Sequence, residues 1–574
     1  YAAFVDRLYF DTQGNSSRTY SSISQSNTNN SSYSLRGQLS YSDVYREIHR
    51  FSVLAGAEIR GEKAEGIFEK RYGYDPVTGN SAMPVPKDPG NGEGFKYSDL
   101  VSYANAMDQL SGQEIEENRF ASFYGALDYS LFDRYVLNVS FRTDGSNNFG
   151  SDEQFNPTWS AGAVWHVSEE TFMEVVRPVL SRLSLRVATG YTGNINKTVK
   201  PNLMMKYYKN FRISDDENYR MGYINNAPNP KLRWEKTRDV KVALDFGLWK
   251  DRINGIVEAY WRKSKDCVTS EYVPVTTGFF NQSYNTSVLQ NNGVEFSLSV
   301  AVLKSKDYNL SVSANVAWNQ NKLKKYNSPN TSLALDKYVG YPMGAVFSGK
   351  YEGIDPETGM YKFKLRPDAV TNKDGYLREP NNYYYYLGTS VAPFTGGFNL
   401  NFSYKNIGLS VGGSYSVKAK MVDNIESPAG YELLSGSKLE SIPTPHNDLY
   451  RNHLNVKREV RNRWTPENRT GVKYPRLIDA YGKKLGLDLT NPTLTTITRG
   501  ALLEDISYLR INTIALSYSL PQRVLERINF SSAALNLTLN NFFTITKYSG
   551  IDPEVPGATY PVSRSVTIGL NVGF

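Results

Sequence analysis

Cysteine is almost missing from these 574 residues. Cys267 stands alone, so neither an intramolecular disulfide nor a cysteine-based metal site can form. Histidine is scarce as well: His49, His166, His446 and His453 are scattered, which argues against a metal-catalytic cluster. His446 and His453 share one polar loop around Asp448, where a solvated loop outweighs a metal site. No run approaches the roughly twenty apolar residues of a spanning helix, and the mean hydropathy of −0.47 is not that of a helical membrane protein. Basic blocks are missing too. The net charge of +8 is spread along the chain, as solvated loops would spread it, and is not gathered as on a nucleic-acid surface. The chain opens not on a signal peptide but on YAAFVDRLYF, which already reads as a strand, so the translated protein is expected to begin upstream of Tyr1. No composition shift divides the chain into the several soluble domains its length would suit.

What is plentiful points to strands. There are 42 tyrosines, 26 phenylalanines and 44 glycines, and this bias favours strands and long polar loops over helices. In SRSVTIGLNVGF (563–574), Val566, Ile568, Leu570, Val572 and Phe574 share one face, and Ser565, Thr567, Gly569, Asn571 and Gly573 the other. This is the period-two alternation of a strand with one apolar face. The same pattern runs through DVKVALDFGL (239–248), through 308–318 and through 397–404.

The pattern places strands near 2–10, 33–41, 51–59, 122–131, 135–142, 159–167, 183–191, 237–248, 252–263, 288–300, 308–318, 397–404, 407–416, 506–520, 535–545 and 563–574. Tight turns at 132–134, 249–251 and 405–406 alternate with long polar segments near 61–118, 192–236, 320–393 and 417–505. Two further short-side connections, 168–182 and 521–532, could each hold a helical turn. Strands of eight to twelve residues with short turns at one rim and long loops at the other are the habit of an all-β transmembrane antiparallel barrel. Asp128, Arg142, Arg186, Lys241, Asp245, Glu258 and Glu295 fall on the polar faces and are expected to point into the lumen. An Arg or Lys facing lipid at mid-depth costs about 2–4 kcal/mol. Tyr41, Tyr129, Trp165, Tyr191, Trp261, Trp318, Tyr404 and Tyr518 lie near strand ends and suit interfacial girdles.

No catalytic constellation emerges, so the chain reads as a non-enzyme without cofactor or metal. IDPETG (354–359) and IDPEVPG (551–557) carry too few carboxylates for calcium loops and read as turns. Tyr383, Tyr384, Tyr385 and Tyr386, after two asparagines, suit contact with a sugar, a peptide or a partner lipoprotein, and equally suit loop packing.

FRTDGSNNFG (141–150) followed by FNPTWSAGAVWHVSEE (155–170) resembles the signature of the SusC/RagA-type TonB-dependent transporters. LSLRVATGYTGN (183–194), the stretch 229–266, QNNGVEFSLS (290–299), RWTPENRTGVKYPRL (463–477), YLRINTIALSYSLP (508–521) and LNNFFTITKYSGIDPE (539–554) follow in order up to Phe574. The resemblance implies an outer-membrane barrel of about 22 strands occluded by an N-terminal plug. It also implies a SusD-like surface lipoprotein as partner, TonB as the drive, and oligosaccharides or peptides as cargo. Phe574, closing an amphipathic strand, resembles the signal read by the barrel-assembly machinery. With roughly sixteen strands visible and no plug, residues 1–574 are expected to be the C-terminal part of the barrel. The plug and first strands would lie elsewhere, and TonB would act through them. A passive sixteen-stranded porin and a soluble glycan-binding β-protein are the competing readings.

Overall fold

The computed structural model describes residues 4–6, 20–72, 77–80, 111–196, 199–207, 222–279, 281–326, 339–357, 359, 361–368, 382–422, 462–472, 499–556, 558 and 560–574. In chain order the strands are β1 (Phe4–Asp6), β2 (Tyr20–Tyr45), β3 (His49–Tyr72), β4 (Ser111–Leu131), β5 (Tyr135–Ser146), β6 (Phe155–His166), β7 (Leu180–Asn194), β8 (Met204–Tyr207), β9 (Gly222–Asn226), β10 (Glu235–Leu248), β11 (Ile253–Tyr272) and β12 (Asn281–Lys304). They continue as β13 (Tyr308–Lys325), β14 (Ala345–Gly349), β15 (Tyr351–Ile354), β16 (Tyr361–Phe363), β17 (Tyr384–Thr389), β18 (Phe394–Tyr404), β19 (Ile407–Val417), β20 (Lys420–Val422), β21 (Leu503–Asp505), β22 (Tyr508–Ser519), β23 (Ser532–Thr546) and β24 (Ser565–Gly573). Sixteen form one antiparallel sheet, ordered β1-β2-β3-β4-β5-β6-β7-β10-β11-β12-β13-β18-β19-β22-β23-β24. They are the sixteen expected strands, and the fold is an all-β barrel wall. The other eight make two-stranded sheets in the long loops. Among the described residues β1 pairs with β2 and β24 with β23.

The short-side turns are tight. Phe132 and Asp133 both have positive φ, at 56° and 54°, as a two-residue turn matching sheet twist requires. A short helix, α1 (Gln522–Arg527), fills one of the two longer short-side connections, and two 3₁₀ turns at 167–169 and 171–173 begin the other.

The cross-strand register sorts every barrel strand into the same two faces. Val240 lies opposite Trp261 and Thr189, and Trp318 lies opposite Phe394 and Val294, so the apolar face continues from strand to strand. All eight expected girdle aromatics stand on it. On β13, Tyr308 stacks against Tyr404 at one rim with ring centroids 5.7 Å apart, and Trp318 faces Phe394 ten residues on. Ten residues span about 33 Å along a strand, or about 25 Å of height at a 40° tilt, which matches the apolar band of a membrane barrel.

The strands are longer than expected at the long-loop rim. β2 and β3 run 26 and 24 residues, so much of 61–118 is sheet, as are 192–194, 235–236, 320–325 and 503–505. The reason lies in the outward face. Alternation is demanded only where one face meets hydrocarbon. Above that level both faces are wet, and a segment such as SQSNTNNSS (24–32) pairs through its backbone while its side chains read as loop.

The face assignment gives a direct test. Leu400 stands on the apolar face and Asn399 on the polar face of β18. Leu400→Lys is expected to destabilise the barrel by about 2–4 kcal/mol in denaturant titrations in lipid vesicles, and Asn399→Lys to change it little. Equal effects would overturn the assignment.

Candidate functional site

Alternation puts every second residue on the polar face, and some of these are charged. Charges then meet along one strand or, through the register, on neighbouring strands. Arg142 Nε donates to Asp144 Oδ1 at 2.7 Å, and its Nη2 to Ser122 Oγ at 2.9 Å. Arg186 meets Asp245 at 2.7 Å, and Lys241 Nζ donates to Glu258 Oε1 at 3.0 Å. Asp128 accepts from the Asn138 amide. Glu295 lies directly across from Glu258 and has no ion pair among the described residues. All seven expected charges therefore share one face, and six have a polar partner.

Two pairs of the same wall were missed at the level of sequence: Arg36 with Glu58 at 2.7 Å and Arg262 with Asp239 at 2.8 Å. Their alternation was visible, but a partner is known only once register is known. The cations of these pairs are two-fifths to nearly three-fifths exposed, so water screens each contact and it contributes little stability. Together they give a wall of alternating donors and acceptors in which opposite charges compensate. Such a surface is polar without carrying one sign of charge.

Above the wall, three segments lock the loops. In 141–150, the Asn147 side chain accepts from the Arg119 N–H at 2.9 Å and donates to the Glu117 carbonyl at 3.0 Å. The buried Asn148 donates to Asn118 at 2.7 Å and accepts from Lys200 Nζ at 2.8 Å. Phe149 stacks on Trp234 with centroids 4.5 Å apart. The Gly150 N–H donates to the Leu232 carbonyl at 3.0 Å, and a Cβ at Gly150 would fall 1.8 Å from the Pro230 oxygen. Glycine is thus required where these two segments touch. Farther along, Trp464 Nε1 donates to the Pro356 carbonyl at 3.0 Å, tying the last long loop to the one before it.

The third lock is ionic. Arg510, whose side chain is 2% exposed, meets Asp552 at 2.5 Å and Glu554 at 2.9 Å. Burial pushes the Asp552 carboxyl up. The N–H groups of Glu554 and Val562 and the Arg510 guanidinium outweigh that, holding it below the usual carboxylate range. The turn reading of both IDPE segments fits: Asp355 and Asp552 each accept from the N–H two residues on.

The tyrosine run divides. Tyr384 pairs with Gly349, and Tyr385 Oη donates to the Leu365 carbonyl at 2.9 Å. Tyr383 is half-buried beside them. Only Tyr386, 41% exposed, lines a hollow of about 530 Å³ with Trp318, Asn319, Asn321, Tyr341 and Met343. Its ring lies 4.9 Å from that of Tyr341. No group of three or more metal-ligating side chains is present among the described residues. His446 and His453 lie outside them. Phe574 sits at the short-turn rim, 91% exposed, its ring edge-on to Phe530 at 5.1 Å.

A family profile described as TonB dependent receptor-like, beta-barrel matches residues 2–425. Among curated proteins, TonB-dependent receptor P26 of Formosa agariphila is 26% identical over 610 aligned residues, covering 99% of this chain and 55% of the relative. TonB-dependent receptor SusC of Bacteroides thetaiotaomicron is 26% identical over 555 residues, covering 91% and 48%. The chain thus spans about half the length of the curated relatives it matches. A solved structure of the RagAB peptide transporter superposes with a TM-score of 0.74 at 24% identity, over 97% of this chain and 57% of the other. That likeness speaks to the fold.

The ionic lock generates a pH and mutation test. Arg510→Ala leaves Asp552 buried without its partner, so a loss of roughly 3–5 kcal/mol in resistance to denaturant is expected. Because the Asp552 pKa is depressed in the folded state, the lock's contribution is full above about pH 4 and fades as pH falls further. Unfolding titrations at pH 7 and pH 3 check both. A variant as stable as the parent at pH 7 would refute the lock.

Proposed function

The chain belongs to the TonB dependent receptor-like, β-barrel family, and from that premise we propose that it is the C-terminal barrel portion of an outer-membrane importer of oligosaccharides or peptides, driven through TonB. The observation that carries this is the family match over residues 2–425 together with one continuous wall of paired charges beneath a loop cap. In this reading Asp128, Arg142, Arg186, Lys241, Asp245, Glu258 and Glu295 face the lumen. Residues outside this chain supply the plug and the remaining strands, as the roughly doubled length of the relatives supports. TonB acts through that portion, and a SusD-like lipoprotein seats on the long loops. In this reading the chain conducts and binds. A passive sixteen-stranded channel would need β1 paired with β24, and among the described residues those strands pair with β2 and β23.

The hollow beside Tyr386 is the cargo or lid contact, with a stacking ring flanked by the amides of Asn319 and Asn321. Tyr383, Tyr384 and Tyr385 hold the loop that presents it. Tyr386→Ala in the full-length protein is expected to weaken cargo or lipoprotein binding by roughly ten-fold, the worth of one aromatic contact, in calorimetric titration. Unchanged binding of both would remove Tyr386 from the site. The drive is tested by uptake of labelled oligosaccharides and peptides into cells, which should stop when the proton gradient is dissipated. Uptake that continues would exclude TonB.

Phe574 is proposed as the assembly signal. Deleting it should cut folded protein in the outer membrane several-fold, read by heat-modifiable gel migration. Unaltered assembly would count against that role.

A further inference from the structure

The outward face holds a second charged feature that the transport reading does not use. Lys236 and Arg238 of β10 lie on the same face as Val240, and Lys263 and Lys265 of β11 on the same face as Trp261. The register sets Arg238 directly opposite Lys263 and Lys236 directly opposite Lys265. Across β12, Gln290 joins Lys263 to Lys322 of β13 in the same row. Like charges placed directly opposite each other on a sheet repel. None of the five cations has an ion pair among the described residues. At the same height on the other face, Asp239 and Arg262 are paired at 2.8 Å, so charge is compensated inside and left uncompensated outside.

The level of the row decides what could answer it. Arg238 lies directly across from Tyr191, and the row stands one outward step above Trp261, which is 50% exposed. One outward step is two residues, about 7 Å. Below run Val240, Val242 and Leu244 with Val257 and Ala259, an uninterrupted apolar strip. The rim is the long-loop rim, which faces outward in such barrels. Cations above an aromatic girdle above an apolar strip match, in order, the phosphates, the interface and the acyl chains of one amphiphile.

We propose that the outward face of β10–β13 binds a phosphate-bearing glycolipid of the outer leaflet, its phosphates held by Arg238 and Lys263 with Lys236, Lys265 and Lys322 around them. This rests on the apolar face meeting lipid and does not require that the protein transports anything. The bound lipid offsets the repulsion of the two like-charge pairs and fixes the height of the barrel in the membrane.

The test uses the full-length protein purified in detergent, with diphosphoryl lipid A and its fully dephosphorylated form as probes. Binding is read by native mass spectrometry and by titration. The parent should bind the phosphorylated form and not the other. Arg238→Gln with Lys263→Gln should bind roughly twenty-five-fold more weakly, from about five-fold per charge removed at a membrane surface. Lys236→Gln with Lys265→Gln should shift in the same direction, and it serves if the first variant fails to fold. Arg262→Gln, on the other face, should bind as the parent does. Equal binding of both lipid forms, parent-like binding by both double variants, or an equal loss in Arg262→Gln would each overturn the site. A parent protein without heat-modifiable migration would instead overturn the membrane reading beneath it.

Discussion

A backbone inside hydrocarbon has no water to satisfy its N–H and C=O groups, and each group left unpaired there costs several kcal/mol. The barrel strands answer that demand with continuous antiparallel registers, and the rest of the molecule follows from them. Once each strand is fixed against its neighbours, the alternation of side chains fixes two faces for the whole wall. Val242, Leu400 and Ile568 then stand on the apolar face, and Lys241, Asn399 and Thr567 on the polar one. The charge pairs of the polar face are products of this register. Lys241 reaches Glu258 because β10 and β11 align without a slip along their whole shared length.

How much was legible in the sequence follows the same line. Where hydrocarbon imposes a difference between faces, as along 239–248 or 563–574, the strand was visible and its faces were assigned. Where both faces are wet, the signal disappears: the upper half of β2 pairs with β3 residue by residue yet reads as a polar loop. The seven polar-face charges could be named from alternation, but the partners that lie on other strands could not. Arg262 and Asp239 are 23 residues apart, and only the hairpin brings them together. Arg510 and Asp552 are 42 residues apart in segments that carry no mark of each other. The tyrosine run suited ligand or lipoprotein contact and loop packing equally, and Tyr384 and Tyr385 are held within the loop itself.

The segments that looked most like signatures turn out to be fastenings. Asn147, Asn148, Phe149 and Gly150 hold one loop base to Lys200 and Trp234, and none of them presents a reactive group. A wide barrel needs such fastenings more than a small soluble domain does. Among the described residues the buried apolar cluster of Ala419, Ile506 and Tyr548 is small. Polar side chains bonded to backbone, and one buried ion pair, add to it.

The uneven height of the wall has a mechanical consequence. β2 and β3 are paired along 24 positions, whereas β18 and β19 are paired along 11. The difference of 13 rungs is about 43 Å measured along the strands. One side of the mouth is therefore a stiff parapet in which every rung is tied to its neighbours. On the β18–β19 side the described loop residues are tied by bonds that include the one from Trp464 and the Arg510 lock. Parting the tall side from its neighbour would break more backbone rungs than parting the short side, so the tall side is the dearer of the two to deform.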